Sequence, residues 1–525
     1  MLTAFRALNA PERSTFGLIR CGGAVLVGAL LMPWPAFYNG YPLLYPDSMS
    51  YLEDGPLVAR AIFLHKFSAD YGGRSFIYCL GILPLHWNVT LWPIVALNVL
   101  LTAYVLWLVV RSILPRKTIT QYFLLVASLS LLTSLGWFVS LIMPDIYGPV
   151  LYLSIYLLVF ARETLLRVER LSLVLMAWWS AASHISHLMV ASGLCVALGL
   201  LVLFLRADAR QRVRAVGVVV MAVVAAAGAH EVLHAYLYGR PSLTGERPPF
   251  VLARVIVDGP GRWYLQQRCQ HETLAVCNYL KDFPTDMYAF LWNLDGIWKT
   301  ASPKTQRQMR QEEASIVWGT VRAYPREETL ISAAHFREQL TTVDLGDYGP
   351  NAWVLQEFDK ALPGARSTYL RTPQARDELP DDFSTSAQNS TLIVSLALIA
   401  VFAPSVWRRR HSRLIGLSAV VVFVTLANAL VTGVLSNVEA RYESRVIWLV
   451  PLLAALLVLE WLNHKFTQVE EIDIVMRIRS VMQRFLSKAI GNPICSAPGH
   501  LLVSPKSVHV APSYFKSPVL PLIGS

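Results

Sequence analysis

The chain has 525 residues, of which 54% are hydrophobic and only 15% charged. A soluble protein carries about 25% charged residues. The deficit falls in long apolar runs separated by short basic loops, which excludes a soluble enzyme, a disordered chain and a disulfide scaffold. The formal net charge of +11 does not point to nucleic acid, because most of the basic residues stand between apolar runs, where they set membrane orientation.

A helix needs about 20 apolar residues to cross the hydrocarbon core. The runs that meet or approach this are 16–37, 88–110, 121–142, 146–160, 171–184, 188–205, 215–236, 391–407, 414–435 and 445–462. The expected fold is an all-α polytopic membrane protein of about 10 transmembrane helices. The first run has Arg6, Arg13 and Arg20 at its start and no small-residue cleavage site, so it reads as a retained span rather than a signal peptide. Arg111, Arg116 and Lys117 follow the second span; Arg162, Arg167 and Arg170 follow the fourth. Arg206, Arg210, Arg212 and Arg214 follow the sixth, and Arg408, Arg409, Arg410 and Arg413 the eighth. With ten spans all of these share the side of the N-terminus. The positive-inside rule makes that side the cytoplasm, with both termini on it and a bacterial inner membrane as the expected location.

The opposite side receives the outer loop 38–87, the polar region 237–390 and the loop 436–444. The domains expected are an N-terminal transmembrane module (1–236), an inserted extracytoplasmic soluble domain (237–390), C-terminal transmembrane helices (391–462) and a cytoplasmic tail (463–525). Within the outer loop, Ser75 to Trp87 reads as a helix lying along the outer membrane surface. Residues 470–490 read as a basic amphipathic helix on the anionic cytoplasmic leaflet, and residues 491–525 as a segment without a packed core. Of the six cysteines, Cys21 and Cys195 fall in spans, Cys79 in the surface helix and Cys495 in the tail. Cys269 and Cys277 share the outer region, where a disulfide fits an oxidising compartment.

Ionisable residues at a membrane are costly and mark function, and here they collect at the outer boundary. Asp47 lies in Tyr45-Pro46-Asp47-Ser48, with Glu53 and Asp54 behind it; Asp145 lies in Met143-Pro144-Asp145. His184 and His187 lie in Ser183-His184-Ile185-Ser186-His187, His230, Glu231 and His234 close the seventh span, and Arg441 and Arg445 open the tenth. Each has a plain structural reading as well: Asp145 as a helix cap, the histidines as one hydrogen-bonded helix face, the arginines as groups reaching for headgroups. Arginine at the outer end of a span runs against the charge rule, and the joint pattern points to one site. Ser48 and Tyr51 beside Asp47, and Tyr442 between the two arginines, join the site as substrate-binding residues. His230-Glu231-Val232-Leu233-His234 also matches the H-E-x-x-H zinc motif, with Glu231 as base. An intramembrane zinc metalloprotease is therefore an alternative, with Leu294-Asp295-Gly296 as an echo of such enzymes' later element. That echo falls outside any span.

A first span, an outer loop with an early acidic residue and a surface helix, many short-looped spans and a large outer domain together resemble the GT-C superfamily of membrane glycosyltransferases. The resemblance covers the layout of residues 1–460. It rests on few positions: Asp47 in the first outer loop, Asp145 in the next, and Arg441-Tyr442 near the last span. The soluble domain departs from it, since many members place theirs after the final span.

The resemblance implies transfer of a sugar from a polyprenyl-phosphate donor to an extracytoplasmic glycan, lipid or protein acceptor, among membrane lipids and with no nucleic acid. Chemistry gives the same roles. Asp47 takes the acceptor proton, and Arg441 and Arg445 grip the departing phosphate; the resemblance alone implies Asp145 as a second catalytic acid. His184 and His187 contact the phosphate or the sugar hydroxyls. Inversion follows from a single displacement. Whether a divalent metal takes part is left open. A lipid or glycan transporter, the remaining alternative, would place its charges near mid-membrane.

Overall fold

The computed structural model describes residues 15–68, 71, 73–114, 118–204 and 209–465. The loop residues Arg6, Arg13, Arg116, Lys117 and Arg206, the amphipathic segment 470–490, Cys495 and the tail 491–525 lie outside the described residues. Those described form helices and connecting turns, with one isolated parallel bridge between Leu43 and Leu141 and no named strand. Five helices are long and apolar enough to cross a membrane: Trp92–Ile113, Arg212–Tyr238, Asp381–Arg408, Ser412–Val434 and Ala440–Lys465.

The helices that matter here are α1 (Thr15–Leu30), α2 (Pro46–Leu64), α3 (Phe76–His86), α4 (Trp92–Ile113), α5 (Thr118–Leu132), α6 (Tyr147–Phe160), α7 (Arg167–Ser183), α8 (Ile185–Phe204) and α9 (Ala209–Tyr238). After them come α10 (Pro303–Ala323), α11 (Pro325–Thr341), α12 (Ala352–Ala361), α13 (Asp381–Arg408), α14 (Ser412–Ala429) and α15 (Ala440–Ile447), the last opening the apolar helix that runs to Lys465. Several ends differ from the apolar runs for local reasons. The first run reads to residue 37, but α1 stops at Leu30. Pro33 and Pro35 lack the N–H that a continuing helix needs, and a separate short helix, Trp34–Asn39, ends on Gly40 at φ +69°. The third run reads to 142, but α5 stops at Leu132. A short helix (Leu135–Ser140) follows, then the strand-like contact of Leu141 with Leu43 and the Pro144–Ile146 turn. The eighth run starts at 391, whereas α13 starts at Asp381, so the expected domain boundary at 390 falls inside a helix.

Helix α6 sits at the centre. Every residue from Tyr147 to Val159 is buried, and α4, α7, α9 and α14 all pack on it. Its 14 residues make about 21 Å, less than a hydrocarbon core. That explains why its apolar run is short: α6 is sheathed by protein on all sides. α13 is the opposite case. Ile393, Leu396 and Val401 stand 55–70% exposed along it, as a lipid-facing surface requires.

The region 237–390 is largely helical, and it divides. Residues 252–316 enclose a small core of their own, built from Leu252, Ile256, Phe290, Met309 and Ile316 among others, with Cys269 and Cys277 joined by a disulfide at a Cα–Cα distance of 5.7 Å. Val343, Leu345, Tyr348, Phe358 and Tyr369 instead belong to the main core. There α12 packs on α2, and the Gln374 amide bonds the main chain of Leu44 and Tyr348. The outer loop is thus held between the apolar helices and the 343–379 segment.

α3 is a helix as expected for 75–87, with Phe76, Tyr78, Cys79 and Ile82 turned into the core and Trp87 69% exposed. Its close packing on α2 depends on Gly55, where a Cβ would lie 2.9 Å from the Cys79 carbonyl oxygen. Gly55→Ala should therefore force the pair apart and destabilise the fold by about 1–3 kcal/mol. A thermal unfolding midpoint in detergent equal to that of the unaltered chain would show that this crossing tolerates the methyl group.

Candidate functional site

Asp47 opens α2. Pro46 fits the first helical position because its missing N–H is not needed there, and the Ser48 hydroxyl oxygen accepts the Tyr45 N–H at 2.9 Å. Ser48 is therefore a buried helix cap, with its side chain committed to the backbone. The cap leaves the Asp47 carboxylate facing two guanidiniums. Arg74 donates to Oδ1 and Arg441 to Oδ2, the second at 3.0 Å. Burial alone would push the Asp47 carboxyl up, but the charges of Arg74 and Arg441 outweigh it and hold the group below its ordinary value.

Arg441 and Arg445 sit one turn apart on α15 and face different surroundings. Arg445 is 1% exposed and every one of its nitrogens has a partner. Nε and Nη2 donate to Asn428 Oδ1 at 3.2 and 2.8 Å, Nη2 also to Ser186 Oγ at 3.0 Å, and Nη1 to Asp145 Oδ1 at 3.3 Å. Arg441 spends only Nη2, on Asp47; its Nε and Nη1 are buried with no hydrogen-bond partner among the described residues. Its guanidinium is instead held over aromatic faces, 4.4 Å from the Tyr45 ring centroid and 5.1 Å from that of Tyr442, an arrangement that favours a cation. The Tyr442 ring also stands 5.4 Å from the Arg445 guanidinium. Gly346, at φ +99°, brings the 343–348 segment against the Arg441 side chain.

The histidines serve the end of α7. A helix C-terminus leaves carbonyls without intrahelical partners. The His187 Nδ1–H donates to Ser180 O at 3.1 Å, and both the His230 Nε2–H and the Ser75 hydroxyl donate to Ala182 O, at 2.9 and 2.6 Å. His184 Nδ1 accepts the Ser186 N–H at 3.2 Å and lies 2.7 Å from the Ser186 hydroxyl, the same hydroxyl that Arg445 reaches. The two rings of His184 and His187 are 5.4 Å apart. Tyr51 is buried, edge-on to Tyr78 at 5.0 Å, with the Arg74 guanidinium 5.9 Å from its ring centroid.

The structure thus brings Asp47, Arg441 and Tyr442 into one cluster and Asp145, Arg445 and the Ser186–His184 turn into a second, joined through the Tyr442 ring. His187 touches the second through the turn it caps. Of the H-E-x-x-H residues, His230 caps the end of α7 beside the second cluster through Ala182 O. His234 donates from Nδ1 to Ser242 O at 2.6 Å, and among the described residues no three His, Cys, Asp or Glu side chains gather as a metal-binding group. Leu294 is 90% exposed, beyond the Phe290–Leu291 core of the outer region.

Arg74 and Asn428 were missed by the sequence reading. Both carried the signals used elsewhere: Arg74 is an arginine in the same loop as Asp47, and Asn428 is a polar residue within an apolar helix. Compared with known proteins, the chain matches no family model, no curated protein and no solved structure.

The two arginines should separate in a stability measurement. Arg445→Met strands Asp145, whose charge is buried, and should cost about 3–5 kcal/mol, the loss seen when one partner of a buried pair is removed. Arg441→Met leaves Asp47 with Arg74 and should cost less. Equal losses in detergent-solubilised thermal unfolding would contradict the division of labour between the two.

Proposed function

We propose that the chain is a membrane glycosyltransferase that moves a sugar from a polyprenyl-phosphate donor to an extracytoplasmic acceptor with inversion. One observation carries the reading: at the end of an apolar helix, a buried arginine with unpartnered N–H groups is paired to a carboxylate from another loop. A phosphodiester needs fixed cations and a hydroxyl nucleophile needs a base, and Arg441 and Asp47 supply one each. The acceptor oxygen attacks the anomeric carbon as the bond from that carbon to the phosphate oxygen breaks. Asp47 takes the hydroxyl proton, and the lipid phosphate leaves with the electron pair onto Arg441. The guanidinium grips phosphate oxygens in a fork that an ammonium cannot form.

In this reading the second cluster braces the first. Arg445 has no nitrogen to spare for substrate, so its part, with Asp145, Asn428 and Ser186, is to fix α15 against the α7–α8 turn. Tyr442 and Tyr51 shape the cluster around their arginines. His184, whose Nε2 faces away from the Ser186 contacts, is the histidine that can reach a sugar hydroxyl. A zinc protease built on His230 and His234 is disfavoured, because among the described residues no third His, Cys, Asp or Glu side chain gathers with them as a metal-binding group.

The topology proposed with this reading has ten crossings, both termini cytoplasmic in a bacterial inner membrane, and 237–390 outside. Helices too short to cross alone, such as α6, complete their passage inside the bundle. Reporter fusions at residues 300 and 411 should give opposite signals; matching signals would remove the shared outer face on which the site depends. In a lipid-linked sugar transfer assay, Asp47→Asn should abolish product, and Arg441→Lys should weaken donor use by at least about tenfold, as expected when a bidentate ionic contact is lost. Full activity of Asp47→Asn would remove Asp47 as base.

A further inference from the structure

The pairing of Asp47 with Arg441 creates a conflict for the proposed reaction, since each is occupied by the other. A base clamped by two guanidiniums accepts a proton poorly. A guanidinium offers two forks, Nε with Nη2 and Nη1 with Nη2, and both end on the nitrogen that holds Asp47 at 3.0 Å. A phosphate entering either fork meets a carboxylate at the shared nitrogen, and the two anions repel.

We propose that the Asp47–Arg441 ion pair is a resting lock, which the donor phosphate must split before Asp47 can act as base, so that donor binding precedes acceptor activation. The inference rests on the glycosyltransferase reading of this site and adds an order of events to it.

Three features make this pair, and not its neighbour, the one that opens. Among the described residues Arg441 has two buried nitrogens without partners and Arg74 has one, its Nε, so the cluster holds N–H donors that await an acceptor. Arg441 lies over the Tyr45 and Tyr442 rings, so its cation stays in place when the carboxylate leaves. Asp47 keeps Arg74 on its other oxygen, so it stays oriented after release and loses only one of the two charges that suppress its basicity. Arg445 shares the Tyr442 ring but fails the other two conditions: its nitrogens are all engaged, and the buried Asp145 has no second ion-pair partner among the described residues. The phosphate therefore draws Arg441 from Asp47, and the freed carboxylate becomes a base only when a donor is present. An acceptor that arrives first finds no base. Water reaching an empty site finds none either.

The test measures binding of dioctyl phosphate, a phosphodiester like the donor, to the purified full chain in nonionic micelles. Asp47→Asn removes the competing anion without changing size. It should bind the probe about tenfold or more tightly than the unaltered chain, the scale of one close opposite charge, and Arg441→Gln should abolish binding in either background. Asp47→Asn affinity equal to or weaker than that of the unaltered chain would overturn the lock while leaving the phosphate site standing. No binding by either chain would instead overturn the phosphate reading itself, and inorganic phosphate binding as tightly as the diester would make this a free-anion site. Should Asp47→Asn fail to fold, hydrogen exchange on the unaltered chain decides. Saturating dioctyl phosphate should speed exchange at 46–52 and slow it at 440–445. Slowing at both would mean that the pair closes on the ligand, and the lock would fall.

Discussion

Two arginines one turn apart on α15, each neutralised by an acid from a different loop, organise this end of the helix bundle. A guanidinium buried in an apolar bundle is costly unless paired. Arg445 therefore draws in Asp145 from the turn before α6, Asn428 from α14 and Ser186 from the turn after α7. Arg441 draws in Asp47 from the start of α2 and, through it, Arg74 from the approach to α3. Elements separated by hundreds of residues meet because a few charges near hydrocarbon have few other partners.

The bundle around α15 supports the same arrangement. α6 gives up spanning length and takes the centre, which puts the Pro144–Ile146 turn, and with it Asp145, close to α15. The end of α7 is capped by side chains from α8, α9 and the outer loop, so the His184–Ser186 turn is fixed in the direction that Arg445 needs. From outside, the Gln339 side chain bonds both the N–H and the C=O of Glu439, the residue before α15, at 3.1 and 2.9 Å. Arg254 donates to the carbonyl of Gly433 in the π-helical turn Leu430–Val434. An interruption of this kind frees backbone groups, and here the outer region supplies a partner for one of them. The segment from the π-helical turn to the start of α15 is thereby held at two points.

Much of this was legible in the residues. Apolar runs locate most of the helices because burial and lipid exposure both demand them, and they fail where proline ends a helix early, as after Leu30, or where polar residues begin one inside a soluble region, as at Asp381. Arginine beside an acidic loop was a usable cue, since Arg441 and Arg74 both pair with Asp47. What could not be read was which arginine is committed. Arg441 and Arg445 are equivalent by residue type and spacing, and their difference comes from Asn428, inside an apolar run, and Ser186, between two of them, small polar residues whose significance appears only when the elements converge. Ser48 and the histidines failed in the opposite way. Their types suit chemistry, yet Ser48, His187, His230 and His234 are used on backbone groups at helix ends and turns, a demand that spacing along the chain does not reveal.

The contrast between the two pairs also decides which of them an arriving anion can open. A pair in which both members are fully bonded is a fixed point; opening it would strand several groups at once. A pair in which the cation has spare donors and the anion has a second cation can open with little loss, because each member retains a partner. Asp47 with Arg441 is of the second kind and Asp145 with Arg445 of the first, and they are joined by the Tyr442 ring between them. One turn of helix thus carries a hinge of charge beside a rivet of charge. An anion arriving from the bilayer would act on the only one of the two that can yield, while the other holds the helix still enough for the exchange to be a change of partners rather than a change of fold.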